Sequence, residues 1–437
     1  MRKITERFAL IVGFLITLTL LVGGLNIGGI ALFKWLLLVL CILCVVSTKQ
    51  IRLMKLDRSF FVLIICVMLS IIGAISVDYI QVSFIIGNFI NVLLIAITVK
   101  MMESVSDLVM MSFVKGIKLS CYFQSIYCVF QYLFRKMMGY SLNRFIFADI
   151  FHIDDEAALR DMISDGIYLE HGMNSHPSVL IPIIIIMMCF SKNRIVSTML
   201  GIIVVVLSRN STAAIAFVIC LLFPWFIQII RDLFEKRKSR YNGKKFIKVC
   251  FGIITGIGIL FATGWHIKLF EVISRAWVRL LGNISASDYS TRTHALYYTS
   301  IPIILRRIQI FNILFGHGFN SSGDVVRHIG GIQNNARNWA VESDPVDLLY
   351  GIGIVGLVVF YYWFIKGIRR ACNWNNNYIV FAMAMLFCGI TYRIQYLWVI
   401  MFELTLFKLI SNGIDVMSDN MALSKAVSNQ KKLILYK

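Results

Sequence analysis

The chain has 437 residues, of which 58% are hydrophobic and only 15% charged, with a formal net charge of +20. Soluble domains carry roughly 25% charged residues and about half apolar ones. This balance, with a mean hydropathy of +0.77, excludes a soluble enzyme, a long disordered tail and a secreted disulfide scaffold, and leaves an all-α polytopic membrane protein.

Twelve apolar runs are expected to cross the membrane, each compared with a hydrocarbon layer of ~30 Å. In chain order they are Phe8–Leu25, Ile30–Val46, Phe60–Val77, Ile80–Val99, Leu119–Phe134, Pro177–Phe190, Ile195–Ser208, Thr212–Ile230, Phe246–Gly264, Val346–Lys366, Tyr378–Tyr392 and Gln395–Ile410. The seventh and eleventh are short, and Lys115 and Lys118 interrupt the start of the fifth. The N-terminal MRKITERF and its apolar run resemble a signal peptide, but no small-x-small cleavage site follows, so an uncleaved first helix is expected. The organisation that results is 1–134 with helices one to five, 135–176 as a first outer loop, and 177–264 with helices six to nine. A large outer loop bearing short helices then occupies 265–345, helices ten to twelve 346–411, and a cytoplasmic tail 412–437.

Charge sets the expected orientation. With Met1 in the cytoplasm, the inner segments with the adjoining span ends (Lys248, Lys366 and Lys408) hold 28 Lys and Arg against 8 acidic residues, a net of +20, whereas the outer segments with the adjoining Asp347 hold 14 of each. That is the positive-inside pattern, and it makes both termini cytoplasmic. The basic run Arg231–Lys248 has the same topogenic explanation, so nucleic acid is not an expected partner.

The polar chemistry falls on the outer side. All seven histidines are there, but no pair has H-x₃-H spacing and no HExxH occurs, so neither zinc nor any other cofactor is expected. Asp154-Asp155-Glu156 reads either as a solvated acidic loop or as a divalent-cation site. Cys41-Ile-Leu-Cys44 has redox spacing, yet it lies inside an apolar helix without a βαβ context. Arginine is more telling, because its planar guanidinium binds phosphate bidentately and stays charged. Arg209 follows a short span in Ser208–Ser211, while Arg275, Arg279 and Arg292 project from the large loop. Each is a candidate phosphate ligand or an interface anchor. Within that loop, helices are expected at Ile267–Leu281 and Thr293–Leu305, then an amphipathic stretch at Val325–Ile332. The run GHGFNSSGD (Gly316–Asp324) sets His317 between two glycines, as a surface turn or a close approach to a ligand. In ESDPVDLLYGIGIVGLVVF, Glu342, Asp344 and Asp347 crowd the mouth of the tenth span, and Gly351, Gly353 and Gly356 suit close helix packing.

This order of parts resembles the bacterial O-antigen polymerase and O-antigen ligase superfamily of membrane glycosyltransferases. The resemblance spans about Gly172 to Phe364 and rests on the Ser208-Arg209 pair, the long loop, an Arg heading a loop helix (Arg292), the G-H-G around His317 and the acidic run entering G-I-G-I-V-G. It implies a metal-independent enzyme of the bacterial inner membrane that joins sugars from an undecaprenyl-diphosphate-linked oligosaccharide. Arg209 and Arg292 would hold the diphosphate, with Arg275 and Arg279 nearby. Glu342, Asp344 and His317 are the candidates for general base. Membrane lipid is an implied partner, and a chain-length regulator is one that the resemblance admits. The His-Asn pair that often precedes the Gly-rich helix in ligases is replaced here by Arg337-Asn338-Trp339 and Glu342-Ser343-Asp344, which favours polymerase over ligase. A polysaccharide transporter or flippase is the alternative of another class. It is disfavoured because only Lys34 and Glu403 are clearly ionisable within spans.

Overall fold

The computed structural model describes residues 1–48, 57–153, 163–164, 167–174, 176–234, 300–330, 341–372 and 375–417. Apolar runs become helices because a backbone kept from water must satisfy its own polar groups. Helices stand at eleven of the twelve expected positions, and the ninth, Phe246–Gly264, lies outside the described residues. They are α1 (Arg2–Leu15) with α2 (Thr19–Gly24), α3 (Leu32–Thr48), α4 (Arg58–Ile75), α5 (Val82–Val105), α6 (Asp107–Met138), α7 (Leu180–Phe190), α8 (Arg194–Ser208) and α9 (Ser211–Phe234). Short helices α10 (Ile301–Arg307), α11 (Ile310–Phe315) and α12 (Ser322–Gly330) precede α13 (Asp344–Cys372), α14 (Asn376–Thr391) and α15 (Leu397–Ser411). Strand is confined, among the described residues, to two antiparallel ladders of two-residue strands, Asn26–Ile27 with Ile30–Ala31 and Ile163–Ser164 with Ile167–Tyr168. Among the described residues, four helices are long and apolar enough to cross a membrane: α4, α5, the first 18 residues of α9, and α13. The protein is thus compatible with an all-α membrane protein. The described cysteines are free thiols.

Two helices depart from expectation. The first apolar run is broken at Ile16–Leu18, where Thr17 turns its carbonyl to the Gln124 side-chain amide at 3.3 Å and its hydroxyl to Phe14 O at 3.1 Å. The break is stable because a buried turn, Gly172–Asn174, fills it. Leu20 N donates to Met173 O at 3.3 Å. Gln131 clamps both polar groups of Gly172, at 2.7 and 3.1 Å, and Met173 N donates to Gln124 Oε1 at 2.8 Å. Side-chain amides therefore replace the helical hydrogen bonds that the break forfeits. The second departure is α6, whose 32 residues begin at Asp107, twelve positions before the expected span. Its buried face carries Ser120, Gln124, Ser125 and Gln131, while Leu119, Ile126 and Phe130 are exposed. A helix with polar residues inward and apolar residues outward is suited to lipid. The inward glutamines also explain why α6 lowers its mean hydropathy despite its length.

Elsewhere the packing is apolar. Helix α1 runs along α6, where a Cβ on Gly13 would stand 2.2 Å from Phe113 O and one on Gly116 2.1 Å from Leu10 O. Only glycine permits that backbone contact. Helix α7 is buried along its whole length among α9, α14 and α6. Phe190, at its end, meets Tyr378, Phe381 and Phe402 edge-on.

Candidate functional site

Three stretches converge at one end of the helices: the turn after α11, the start of α13, and the link Tyr392–Tyr396 between α14 and α15. Helix α13 starts at Asp344 because Asp347 N donates to Ser343 O at 2.8 Å and Pro345 occupies a first-turn position needing no N–H. Inside α13, Gly353 has φ 73° and ψ 179°, so the helix opens there and its carbonyls turn outward. His317 N and Gly318 N each donate across the gap, to Tyr350 O and Gly351 O, both at 2.9 Å. A Cβ on Gly353 would sit 2.2 Å from Leu314 O. The glycines of G-H-G and G-I-G thus let two backbones of this chain touch. The G-H-G is a buried backbone joint and not a surface turn.

This joint decides the position of His317. Its side chain is 1% exposed, its Nδ1 has no hydrogen-bond partner among the described residues, and burial lowers its pKa to about 4, so the imidazole is neutral. Tyr79 lies over it at 6.4 Å and stacks on His328 at 4.8 Å. Burial and then Asp324 push the Tyr79 phenol up to about 12.

The three carboxylates at the mouth of α13 separate by environment. Asp344 is 3% exposed, and its Oδ1 accepts from Ile394 N at 3.0 Å and Gln395 N at 3.3 Å, so it holds the α14–α15 link. Asp347 is buried, 3.2 Å from Arg393 Nε, and accepts the Ser322 hydroxyl, which itself accepts Val341 N at 2.9 Å. Arg393 also donates to Asn320 and lies 5.8 Å from the Tyr396 ring. Glu342 is different: its side chain is 37% exposed and its Oε1 is 3.8 Å from His176 Nε2. Ser178 N donates to His176 Nδ1 at 3.2 Å, which leaves the Nε2 hydrogen facing Glu342 in the neutral ring.

Arg209 stands on the corner between α8 and α9. Its backbone is left-handed (φ 49°, ψ 21°), its amide donates to Val205 O at 3.1 Å, and its side chain is exposed. The corner is held by Asn210 Oδ1, which accepts Ala213 N at 3.0 Å, and by the Thr212 and Thr391 hydroxyls at 3.3 Å. Thr391 precedes Arg393 by two residues, so this corner abuts the α14–α15 link. Glu170 N donates to Leu207 O at 3.1 Å, so the stretch leading to His176 also reaches the corner. The Glu170 carboxylate forms a buried pair with Arg135 at 3.0 Å, and the Arg135 guanidinium lies 4.2 Å over the Tyr168 ring. His171 is buried beside it, with a pKa lowered to about 4, chiefly by burial.

Of the residues singled out from sequence, Glu342, Asp344 and His317 thus share one neighbourhood, and Arg209 borders it across the Thr212–Thr391 contact. Arg275, Arg279, Arg292 and Asp154–Glu156 lie outside the described residues. Among the described residues no group of three or more His, Cys, Asp or Glu has a metal-binding arrangement. Sequence reasoning did not single out Arg393, His176 or the Arg135–Glu170 pair. The signal for Arg393 was a lone cation between two apolar runs, where an unpaired charge is costly. The arrangement offers an accessible carboxylate beside an imidazole and an exposed guanidinium at the neighbouring corner. Those groups can accept a proton from a hydroxyl and stabilise a developing anion. No family model matches the chain, and no characterised protein matches it.

Proposed function

We propose that the protein is a membrane glycosyltransferase that polymerises lipid-linked oligosaccharide repeat units, through twelve membrane spans that carry its long loops on the outer face of a bacterial inner membrane. The observation that carries the reading is the meeting of the acid-bearing mouth of α13 with the G-H-G joint, in the motif order seen in O-antigen polymerases. In the proposed reaction a sugar hydroxyl attacks the anomeric carbon of a second oligosaccharide. The bond from that carbon to the diphosphate oxygen breaks, undecaprenyl diphosphate leaves with the electron pair, and the hydroxyl proton passes to Glu342. Arg209, with Arg275, Arg279 and Arg292, neutralises the growing diphosphate charge, each well-placed donor contributing about 3 kcal/mol to the transition state. Glu342 is preferred as base because it alone of the α13-mouth carboxylates is accessible. Asp344 serves as a support, and His317 as part of the joint. Polymerase is preferred to ligase on the motif departure noted above.

A flippase is a second reading with one observation in its favour. Glu403, mid-way along α15, is fully buried and neither carboxylate oxygen has a hydrogen-bond partner among the described residues. Ionisable groups at such depth mark transport paths in many membrane proteins. The two readings separate in cells that lack their own copy of the gene. A polymerase defect accumulates single repeat units on the outer face, whereas a flippase defect traps them inside. Glu342→Gln and Arg209→Lys are expected to accumulate single units outside at normal protein abundance, and units trapped inside would overturn the polymerase reading.

A further inference from the structure

At the end of α13 away from its acid-bearing mouth, the cations of two packed helices surround a single carboxylate. Helices α4 and α13 lie against each other, with the Phe60 and Trp363 rings 5.2 Å apart. Asp57 caps α4 by accepting Ser59 N at 2.9 Å. It also meets the Lys366 ammonium at 3.2 Å and the Arg370 guanidinium at 3.8 Å, both from the last turns of α13. The adjacent residues Arg58 and Arg369 are exposed, and neither forms an ion pair or a hydrogen bond with a described residue. Arg58, Lys366, Arg369 and Arg370 against Asp57 leave a net charge of +3. The flanking sequences Lys49–Leu56 and Asn373–Asn375 contain no acidic residue.

Each of the two unpaired guanidinium groups heads an exposed apolar stripe. On α13, Ile354, Val358, Tyr362 and Ile365 are exposed, and Arg369 continues the same spacing of three or four residues. Side chains so spaced share one helix face. Tyr362, within that stripe, has its ring 5.9 Å from the Lys366 ammonium. On α4, the exposed Ile75, Ile72, Met68 and Phe61 lead in the same way to Arg58. With a rise of about 1.5 Å per residue, Arg58 to Ile75 spans roughly 26 Å, close to the ~30 Å of a bilayer core. Both helices are long and apolar enough to cross one. The cations therefore lie at headgroup depth, where the apolar stripes end.

We propose that Arg369, with Lys366, Arg370 and Arg58 around it, binds the phosphate of an anionic glycerophospholipid whose acyl chains lie along the exposed stripe of α13. A guanidinium holds phosphate oxygens bidentately, and an ammonium adds a compact charge. The surplus of positive charge favours a lipid of net negative charge, since a zwitterionic headgroup brings its own cation to the same place. Cations that served insertion alone would need only to stand on this side of the membrane. Here two of them are left unpaired beside a carboxylate that already holds two others, at the ends of lipid-facing stripes. A free phosphate ion shares the polar chemistry but has no use for the stripe. This site rests on α4 and α13 crossing the membrane and is independent of the sugar chemistry.

The test is native mass spectrometry of the full chain in detergent, titrated with phosphatidylglycerol, phosphatidylethanolamine or inorganic phosphate. Phosphatidylglycerol is expected to bind in preference to phosphatidylethanolamine. The double variant Arg58→Gln/Arg369→Gln is expected to lose about tenfold or more in affinity for phosphatidylglycerol, since one charge-assisted contact is worth at least about one ten-fold step. Neither arginine bonds to another described residue, so the variant keeps its fold. Arg58→Lys/Arg369→Lys keeps the charge and is expected to bind. Lys136→Ala, which removes an exposed cation at the opposite end of the molecule, beside the Arg135–Glu170 pair, is expected to bind as the native chain does. Equal binding of the two lipids, an unaffected double glutamine variant, or an equal loss in Lys136→Ala overturns the site. Displacement of the lipid by inorganic phosphate overturns the lipid as its occupant.

Discussion

Asp344 and Glu342 lie two residues apart, yet the structure gives their substitutions opposite outcomes. Asp344 Oδ1 satisfies two buried backbone amides, those of Ile394 and Gln395. Replacing it with Ala leaves both without an acceptor, at about 1–3 kcal/mol each, so Asp344→Ala should destabilise the fold by roughly 2–6 kcal/mol. Asp344→Asn keeps an acceptor oxygen and loses only the charge, which should cost about 1–2 kcal/mol. Glu342 has a side chain 37% exposed at the rim, beside His176. Glu342→Gln should change stability by no more than about 0.5 kcal/mol, while removal of a general base should slow chain formation by about 10²–10⁴. The assay is thermal unfolding of the purified variants alongside polysaccharide length in cells at matched membrane abundance. The reasoning fails if Asp344→Asn keeps wild-type stability and abolishes polymerisation, or if Glu342→Gln builds chains at the normal rate.

Other consequences follow from the same contacts. Arg135→Gln should lower stability by about 3–5 kcal/mol by leaving Glu170 charged in a buried place, and adding Glu170→Gln should restore part of it, as read by a double-mutant cycle on melting temperature. His317 and His171 have pKa values near 4, whereas an unfolded imidazole takes up its proton near pH 6.5. The unfolded state therefore binds more protons between about pH 4 and 6.5, and stability should fall as pH drops through that window. His317→Gln should flatten the fall in a pH series of melting temperatures. Gly353→Ala should reduce folded protein sharply, because its Cβ would meet Leu314 O at 2.2 Å and its φ of 73° disfavours an L side chain. Wild-type yield from that variant would show that the joint yields more readily than its geometry implies.

Much of the helical layout was legible because apolar length is a strong signal. Most described helix starts, from Leu32 to Leu397, fall within two residues of the expected spans. What sequence could not give was the break at Thr17, since Thr in an apolar run looks like an ordinary helical residue. The break depends on Gln124 and Gln131, more than a hundred positions away, clasping a turn at Gly172. The length of α6 was hidden for a related reason: Lys115, Lys118 and the inward glutamines dilute the hydropathy of a helix whose exposed stripe is apolar. In the site, the acids at the mouth of α13 stood out by their crowding. Their division into supports and an accessible group depends on Arg393, Ile394 and Gln395 arriving from another link. The glycines were read as ligand-approach or packing residues, and the described structure assigns them to backbone-to-backbone contact. The corner at Arg209 was legible as a position, but its left-handed backbone was not, because nothing in Ser208–Ser211 demands it.

The most direct measurement is reconstitution of the purified full chain in liposomes with a synthetic undecaprenyl-diphosphate-linked repeat unit. The polymerase reading predicts products of two, three and more repeats, with one undecaprenyl diphosphate released for each bond formed. Glu342→Gln and Arg209→Lys in the same liposomes should form far fewer bonds. Movement of the unaltered repeat unit across the bilayer, with no glycosidic bond formed and no undecaprenyl diphosphate released, would contradict it.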